Sequence, residues 1–447
     1  MHICTMRWCT ASLRTLRKKG ISCLKEKDMY QIEFDHPVHV HFIGIGGISM
    51  SGLAAVLLKE GFSVTGSDSQ HTQLTSWLEE KGAVVAYPQA AENIPENCDV
   101  VVYTAAIHPD NPEFAAAKDR GLPMLTRAQL LGEIMQNYDM PIAVSGTHGK
   151  TTTTSMLSHV TMEAGLDPTI SVGGILKSIG GNIRVGSSGN FITEACEYTN
   201  SFLSLYPKIG IILNIDADHL DFFKDIEDIR RSFRKFAELI PSDGLLIMNG
   251  NTERLSEITD GLACPVTTFG DETCDYHAAD ITYNELGFAS FDAWSGDQKI
   301  GHFNLSVPGI HNVHNALAVI AAARFLGIDA ETISRGLESF SGTDRRFERK
   351  GAFNGVTVVD DYAHHPTEIR ATLRAAAGYP HKKLWCVFQP HTYTRTQALL
   401  DDFADALCLA DEVILADITP PARKTPWASV PMTFAGKCWS TESRLFI

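Results

Sequence analysis

Apolar and polar positions along the chain switch repeatedly between a period of two and a helical period, and the switches fall at glycine turns. Residues 38–43 alternate and then turn wholly apolar, as a strand entering a core does. A glycine turn at 44–47 follows, then a helical run over 50–60 and a second strand over 63–66. The order returns further on: an apolar strand at 141–145, a glycine turn at 146–149 and a helix to about residue 164. More buried-type strands are expected at 99–104, 192–197, 211–219, 356–359, 384–388 and 411–418. Strands alternating with helices in this way predict an α/β fold on parallel sheets.

A chain of 447 residues is too long for one ordinary core, and two to four domains are expected. Hydrophobic residues make up 44%, a globular share, and no apolar run reaches the roughly 18 residues a membrane span needs. A net charge of −15 argues against general affinity for nucleic acid or an anionic membrane. It leaves a nucleotide substrate open, because local loops and metal ions handle phosphate charge. The ten cysteines form no C-x-x-C pair, which disfavours zinc or a disulfide framework and fits a reducing cytoplasm.

Both ends depart from this pattern. Residues 1–28 hold seven Lys/Arg against two acids and show no amphipathic core pattern. They read either as a transit peptide or, by preference, as a non-native or disordered extension ahead of a start at Met29. From Thr419 the periodicity vanishes, with prolines at 420, 421, 426 and 431. Reverse-translated and read in a shifted frame, the tail permits a loop, a capped amphipathic helix and a strand. The expectation is therefore an out-of-frame tail over 419–447, an incomplete last domain, and apolar surface exposed over 413–418.

The first βαβ unit places Gly44, Gly46 and Gly47 at a helix N-terminus, where backbone N–H groups can approach a pyrophosphate. The dinucleotide fingerprint is incomplete, because Ser49 takes its third glycine position. Asp68 stands where a ribose-binding acid would stand, or it closes a turn.

The second unit is the more telling. Gly146, Thr147, His148, Gly149, Lys150, Thr151 and Thr152 link an apolar strand to a helix. In such a loop the backbone N–H groups cradle phosphate oxygens, Lys150 supplies a compact positive charge, and the Thr151 hydroxyl suits Mg²⁺. The general phosphate-loop motif is missed, since its first glycine would fall at Val144. Glu197 and His219 lie at two later strand ends and are candidates to share a metal site with Thr151. Asn312 and Asn315, three apart, share a helix face and either read a base or cap the helix start.

Residues 342–347 look like a hinge followed by Arg345 and Arg346. Beyond it, 360–368 and 389–395 follow two strands expected to be parallel. Both strand ends load the polar side chains of these runs, His364, His365, His391 and Arg395 among them, into one crevice.

Taken in order, the runs 44–47, 146–152, 194–197, 218–219, 311–315, 345–347, 360–368 and 389–395 resemble the Mur ligase family. The likeness covers about residues 29–418 and is nearest the alanine-adding branch. It implies three domains: a Rossmann-like UDP-substrate domain (29–137), a central P-loop ATPase-type domain (138–341) and a Rossmann-like ligase domain (342–418). It implies phosphate binding by Lys150 and Thr152, and metal association for Thr151, Glu197 and His219. Asn312, Arg346 and Asp361 become nucleotide contacts, and Tyr362, His364 and Arg395 become alanine contacts.

The substrates implied are UDP-N-acetylmuramate and L-alanine, with ATP and Mg²⁺, in cytoplasmic peptidoglycan precursor synthesis by a monomer or homodimer. Lys150, His364 and Arg395 are the expected catalytic side chains, His364 either taking the ammonium proton or placing alanine. The rivals are a murein-tripeptide recycling ligase and an inactive truncated form.

Overall fold

The computed structural model describes residues 29–391, 393–418 and 444–446. The expectations for 1–28 and for the tail from Thr419 lie outside them, apart from the backbone of 444–446.

The first sheet is wholly parallel. Its strands are β1 (His39–Ile43), β2 (Ser63–Ser67), β3 (Val84–Ala86), β4 (Val100–Tyr103) and β5 (Met124–Thr126), in the order β3-β2-β1-β4-β5. The order reverses at β1, so the glycine turn that leaves its carboxyl end opens into the crevice where such sheets bind ligands. Gly44 sits at φ +82°, a left-handed conformation that suits glycine. Helix Ile48–Lys59 follows, its apolar residues 53–57 buried against the sheet.

The second sheet has ten strands. Six are parallel neighbours: β12 (Val266–Gly270), β11 (Leu245–Asn249), β10 (Ile209–Ile212), β6 (Met140–Ser145), β9 (Asn190–Glu194) and β7 (Thr169–Leu176). One edge is extended by β13 (Tyr276–Tyr283), parallel to β12, and then by antiparallel β14 (Phe288–Ser295) and β15 (Gln298–Pro308). Antiparallel β8 (Gly181–Arg184) closes the other edge. The central strands are buried on both faces and read as continuous apolar runs. One core cluster runs from Val40 and Phe42 through Leu131 to Phe191 and Phe233, so the first two sheets share apolar packing. Lys59 reaches the carbonyls of Val185 and Gly186, and a Cβ on Gly52 would lie 2.8 Å from Ile183.

The third region corrects two expectations. The strand at 356–359 does form, as β17 (Val356–Asp360), but it pairs antiparallel with β16 (Glu348–Phe353), which the sequence reading missed. It is not paired with β18 (Trp385–Phe388). That strand runs parallel to β19 (Glu412–Leu415), which in turn pairs with β20 (Arg444–Phe446). The second correction concerns 413–418. Val413, Leu415 and Ile418 are buried, because β19 lies inside its sheet and packs with Ile369, Phe403 and Leu407. Among the described residues of this region, the exposed apolar side chains include Trp385 and Val387 on β18, and Phe353, Val356, Val358 and Val359 on the hairpin.

Candidate functional site

The phosphate loop leaves β6 at its carboxyl end and enters helix Lys150–Glu163. Its two glycines are required by geometry. Gly146 sits at φ +138° and Gly149 at φ +86°, and a Cβ on Gly149 would lie 2.9 Å from Oδ1 of Asn315. Asn214, just past β10, clasps the loop. Its Oδ1 accepts from His148 N at 2.7 Å, its Nδ2 donates to the His148 carbonyl at 3.0 Å, and its own carbonyl accepts from Thr147 N. The sequence reading gave Asn214 no role, although a polar residue closing an apolar strand was the available signal.

Lys150 is turned inward. Its Nζ donates to the carbonyls of Gly146 and Thr147 and lies 3.0 Å from Oε2 of Glu197. Burial alone would push this ammonium down, but the Glu197 carboxylate outweighs it and the net shift is upward. On its other side Glu197 faces His219, with Nε2 at 3.8 Å from Oε1. Burial lowers the His219 pKa against the pull of Asp218 and Glu197, which favours the neutral imidazole a metal requires. His219 holds φ +54°, an uncommon conformation for a residue with a side chain. Thr151 stands in the first turn of the loop's helix and is buried, its methyl facing Gly174. Among the described residues no group of three His, Cys, Asp or Glu side chains is disposed to hold a metal by itself.

One cavity opens on this loop, and a second is lined by the chain neighbours of its walls, Ala217 next to Asp216 and Tyr362 next to Asp361. The first is lined by His148, Gly149, Thr152, Asn312, Asn315, Arg346 and Asp361, which brings the expected nucleotide residues together. Asn312 and Asn315 are buried and bonded to each other at 3.1 Å, with Asn312 also donating to the Pro308 carbonyl. Asp361 accepts from Phe347 N at 2.8 Å and Ala363 N at 2.7 Å, so it also fixes the hinge. Burial raises its pKa against those two donors.

The second cavity holds all three expected alanine residues, Tyr362, His364 and Arg395, with Tyr198, His219 and His391. The Arg395 guanidinium binds Oδ1 of Asp218 through Nε at 3.1 Å and Nη2 at 3.0 Å. Arg345 lies 5.0 Å over the Tyr362 ring, and the Tyr362 carbonyl is 2.9 Å from Nδ1 of His364. Tyr198 lies with its ring 4.5 Å from that of His219. His391 belongs to the run expected to load this crevice, whereas Tyr198 was given no role in the sequence.

His148 joins the two regions. It lies between Oδ2 of Asp216 and Oε1 of Glu368, each at 3.3 Å. Burial would lower its pKa, but the two carboxylates prevail and raise it to about 9.

In the first domain, Asp68 meets the glycine turn directly. Its Oδ2 accepts from Gly46 N at 2.8 Å, and a Cβ on Gly46 would lie as close to the same oxygen. Asp68 thus makes a turn-closing contact. Beneath it lies a buried network unread in the sequence, in which Glu113 collects His41, Ser67, Asn93 and the Ala90 N–H.

Comparison with known proteins agrees with this arrangement. Three family profiles match in succession. They are described as Mur ligase family, catalytic domain (residues 39–139), Mur ligase middle domain (144–323) and Mur ligase, glutamate ligase domain (345–436). The chain is similar to the UDP-N-acetylmuramate–L-alanine ligase of Lachnospira eligens, 59% identical over 89% of this chain and 87% of that one. It is 60% identical to the enzyme of the same name from Agathobacter rectalis, over 87% and 85%. Among solved structures it resembles UDP-N-acetylmuramate-alanine ligase from Thermotoga maritima, with a TM-score of 0.75 and 31% identity over 92% and 90%. A murein peptide ligase from Psychrobacter arcticus gives 0.69 and 28%, over 92% and 90%.

Proposed function

The chain belongs to the Mur ligase family, and from that premise we propose that it joins L-alanine to the lactyl carboxylate of UDP-N-acetylmuramate with ATP. The reading rests on one observation above the rest. A phosphate-loop cavity adjoins a second cavity that collects His364, Arg395 and the metal-type residue His219.

A carboxylate is a poor acyl donor. Phosphorylation corrects this: the lactyl oxygen forms a bond to the γ-phosphorus, the bond to the β-bridging oxygen breaks, and ADP leaves. Lys150 balances the charge that spreads over the transferred oxygens. The alanine amine then attacks the acyl phosphate, the C–N bond forms and phosphate departs. His364 either takes the ammonium proton or orients the amine. Arg395 is assigned to the alanine carboxylate, and Tyr362 to the wall beside it. Gly44, Gly46, Gly47 and Asp68 are assigned to the UDP end.

Glu197, a buried carboxylate, and the Thr151 hydroxyl are the oxygen donors Mg²⁺ prefers, and His219, its imidazole kept neutral, is the remaining donor of the expected set. Bound there, the ion would supply Lewis-acid stabilisation of phosphate charge. The domain boundaries 29–137, 138–341 and 342–418 are proposed on the same footing. ATP and a nucleotide-linked sugar as substrates fit a cytoplasmic enzyme, and no helix among the described residues is long and apolar enough to cross a membrane.

The test is an assay of the 447-residue chain for phosphate release dependent on both UDP-N-acetylmuramate and an acceptor. Turnover with L-alanine supports the reading. Turnover only with a murein tripeptide assigns the recycling reaction instead, and inertness with both supports the inactive form.

A further inference from the structure

Glu368 lines the first cavity and contacts His364, which lines the second. It sits in the first turn of helix Pro366–Ala377, with its carboxylate 12% exposed. Oε1 lies 3.3 Å from Nδ1 of His148 on the phosphate loop. Oε2 accepts from His364 N at 3.0 Å and lies 3.4 Å from Nδ1 of the same residue. Arg346 approaches Oε1 at 3.7 Å.

An acid in the first turn of a helix commonly reaches back to a backbone N–H as a cap. Capping accounts for Oε2 and the His364 amide. It does not account for Oε1, which lies on a loop from another domain and on an imidazole already paired with Asp216. His365 adds a second contact at the same junction, its ring 4.7 Å from that of His148. Burial opposes the charge on Glu368, yet His148 and the neighbouring cations hold its carboxyl well below the usual range. The charged bridge is thus a built feature of the closed junction, with one end in each cavity.

We propose that Glu368 is a positioning residue that couples the nucleotide cavity to the acceptor cavity, by fixing His364 in register with His148 of the phosphate loop. Nucleotide that seats the loop seats His148, and through the carboxylate it seats His364 against the incoming amine. The inference deepens the ligase reading and rests on it.

A double-variant cycle on the full chain tests it. Glu368→Gln retains the oxygen that caps the helix but loses the charge, and His148→Asn removes the cation. Steady-state KM for the acceptor, KM for ATP and kcat are measured for each single variant and for the pair, alongside thermal melts. Turnover by the unaltered chain, with alanine or with a murein tripeptide, fixes the acceptor whose KM is read. The coupling predicts an acceptor KM raised about tenfold in each single variant and no higher in the pair, with Glu368→Gln melting within a few degrees of the parent. Acceptor KM shifts that multiply in the pair, or a Glu368→Gln acceptor KM within twofold of the parent, overturn the inference alone. An unaltered chain inert with both acceptors overturns the ligase reading and the inference together.

Discussion

The ammonium of Lys150 lies 3.0 Å from the carboxylate of Glu197, in a position where Glu197 is 2% exposed. The loop's cation is thus held by the carboxylate that also faces the metal-type histidine. On the proposed reading, an arriving phosphate would exchange with this buried ion pair instead of meeting a free lysine.

Lys150→Ala should therefore act twice. Amide formation should fall by about a thousandfold or more, the scale of losing one electrostatic stabiliser of the transition state. Removing one partner of a buried pair should also destabilise the fold by about 3 kcal/mol. Calorimetric binding of UDP-N-acetylmuramate should survive, because its expected contacts lie in the first domain. Near-normal turnover in this variant refutes the assignment of Lys150.

Gly149→Ala should raise the KM for ATP and lower stability by more than about 1 kcal/mol, since its φ of +86° and Asn315 both oppose a Cβ. Gly165→Ala is the control. It shares a positive φ of +69° but points into open space, so it should lower the melting temperature and leave the ATP KM alone. Equal ATP KM values in the two variants would mean that the contact with Asn315 does not shape the loop.

Arg395→Lys should raise the alanine KM by about tenfold while the ATP KM changes little. A guanidinium holds Oδ1 of Asp218 through two nitrogens, and an ammonium cannot reproduce that fork. Parallel changes in both KM values would place Arg395 outside the acceptor site.

The His148 bridge sets a pH dependence. Its folded pKa, about 9, stands above the ordinary value of 6.5. The bridge's contribution is thus full below about pH 6.5 and lost as pH rises through about 9. The melting-temperature gap between the parent and His148→Asn should be widest near pH 6.5 and close by about pH 9.5. A gap that is constant across this range would show that the imidazole is not charged in the fold.

The sequence was most readable where one local pattern suffices. Strand β1 with its glycine turn, and β6 with 146–152, each carry periodicity, glycines and helix start in one short run. It was least readable where a partner from elsewhere decides the outcome. The segment 356–360 looks like any parallel strand, and only its antiparallel neighbour at 348–353 makes it a hairpin. The run 411–418 reads as a buried strand, and exposure over 413–418 was expected only as the consequence of a lost tail; β18 and β20 flank it. Among site residues, Asn214 and Glu368 act through loops far away in the chain, so spacing could not rank them above ordinary caps. The grouping of Tyr362, His364 and Arg395 followed from the motif order, with His391 in the same run, while Tyr198 became visible only as a wall of the cavity.

Across the Gly342 hinge, the last domain meets the central one through charge pairs of unequal shelter. Lys177 reaches Glu348 from a side chain 68% exposed, whereas Arg395–Asp218 and His148–Glu368 are largely enclosed. Dissolved salt screens exposed charges over about 8–10 Å and enclosed ones far less. Rising ionic strength therefore loosens the hinge side of this junction first and leaves the cavity side engaged. The two sides of this junction thus differ in their response to salt, with the enclosed pairs beside the cavities the last to yield.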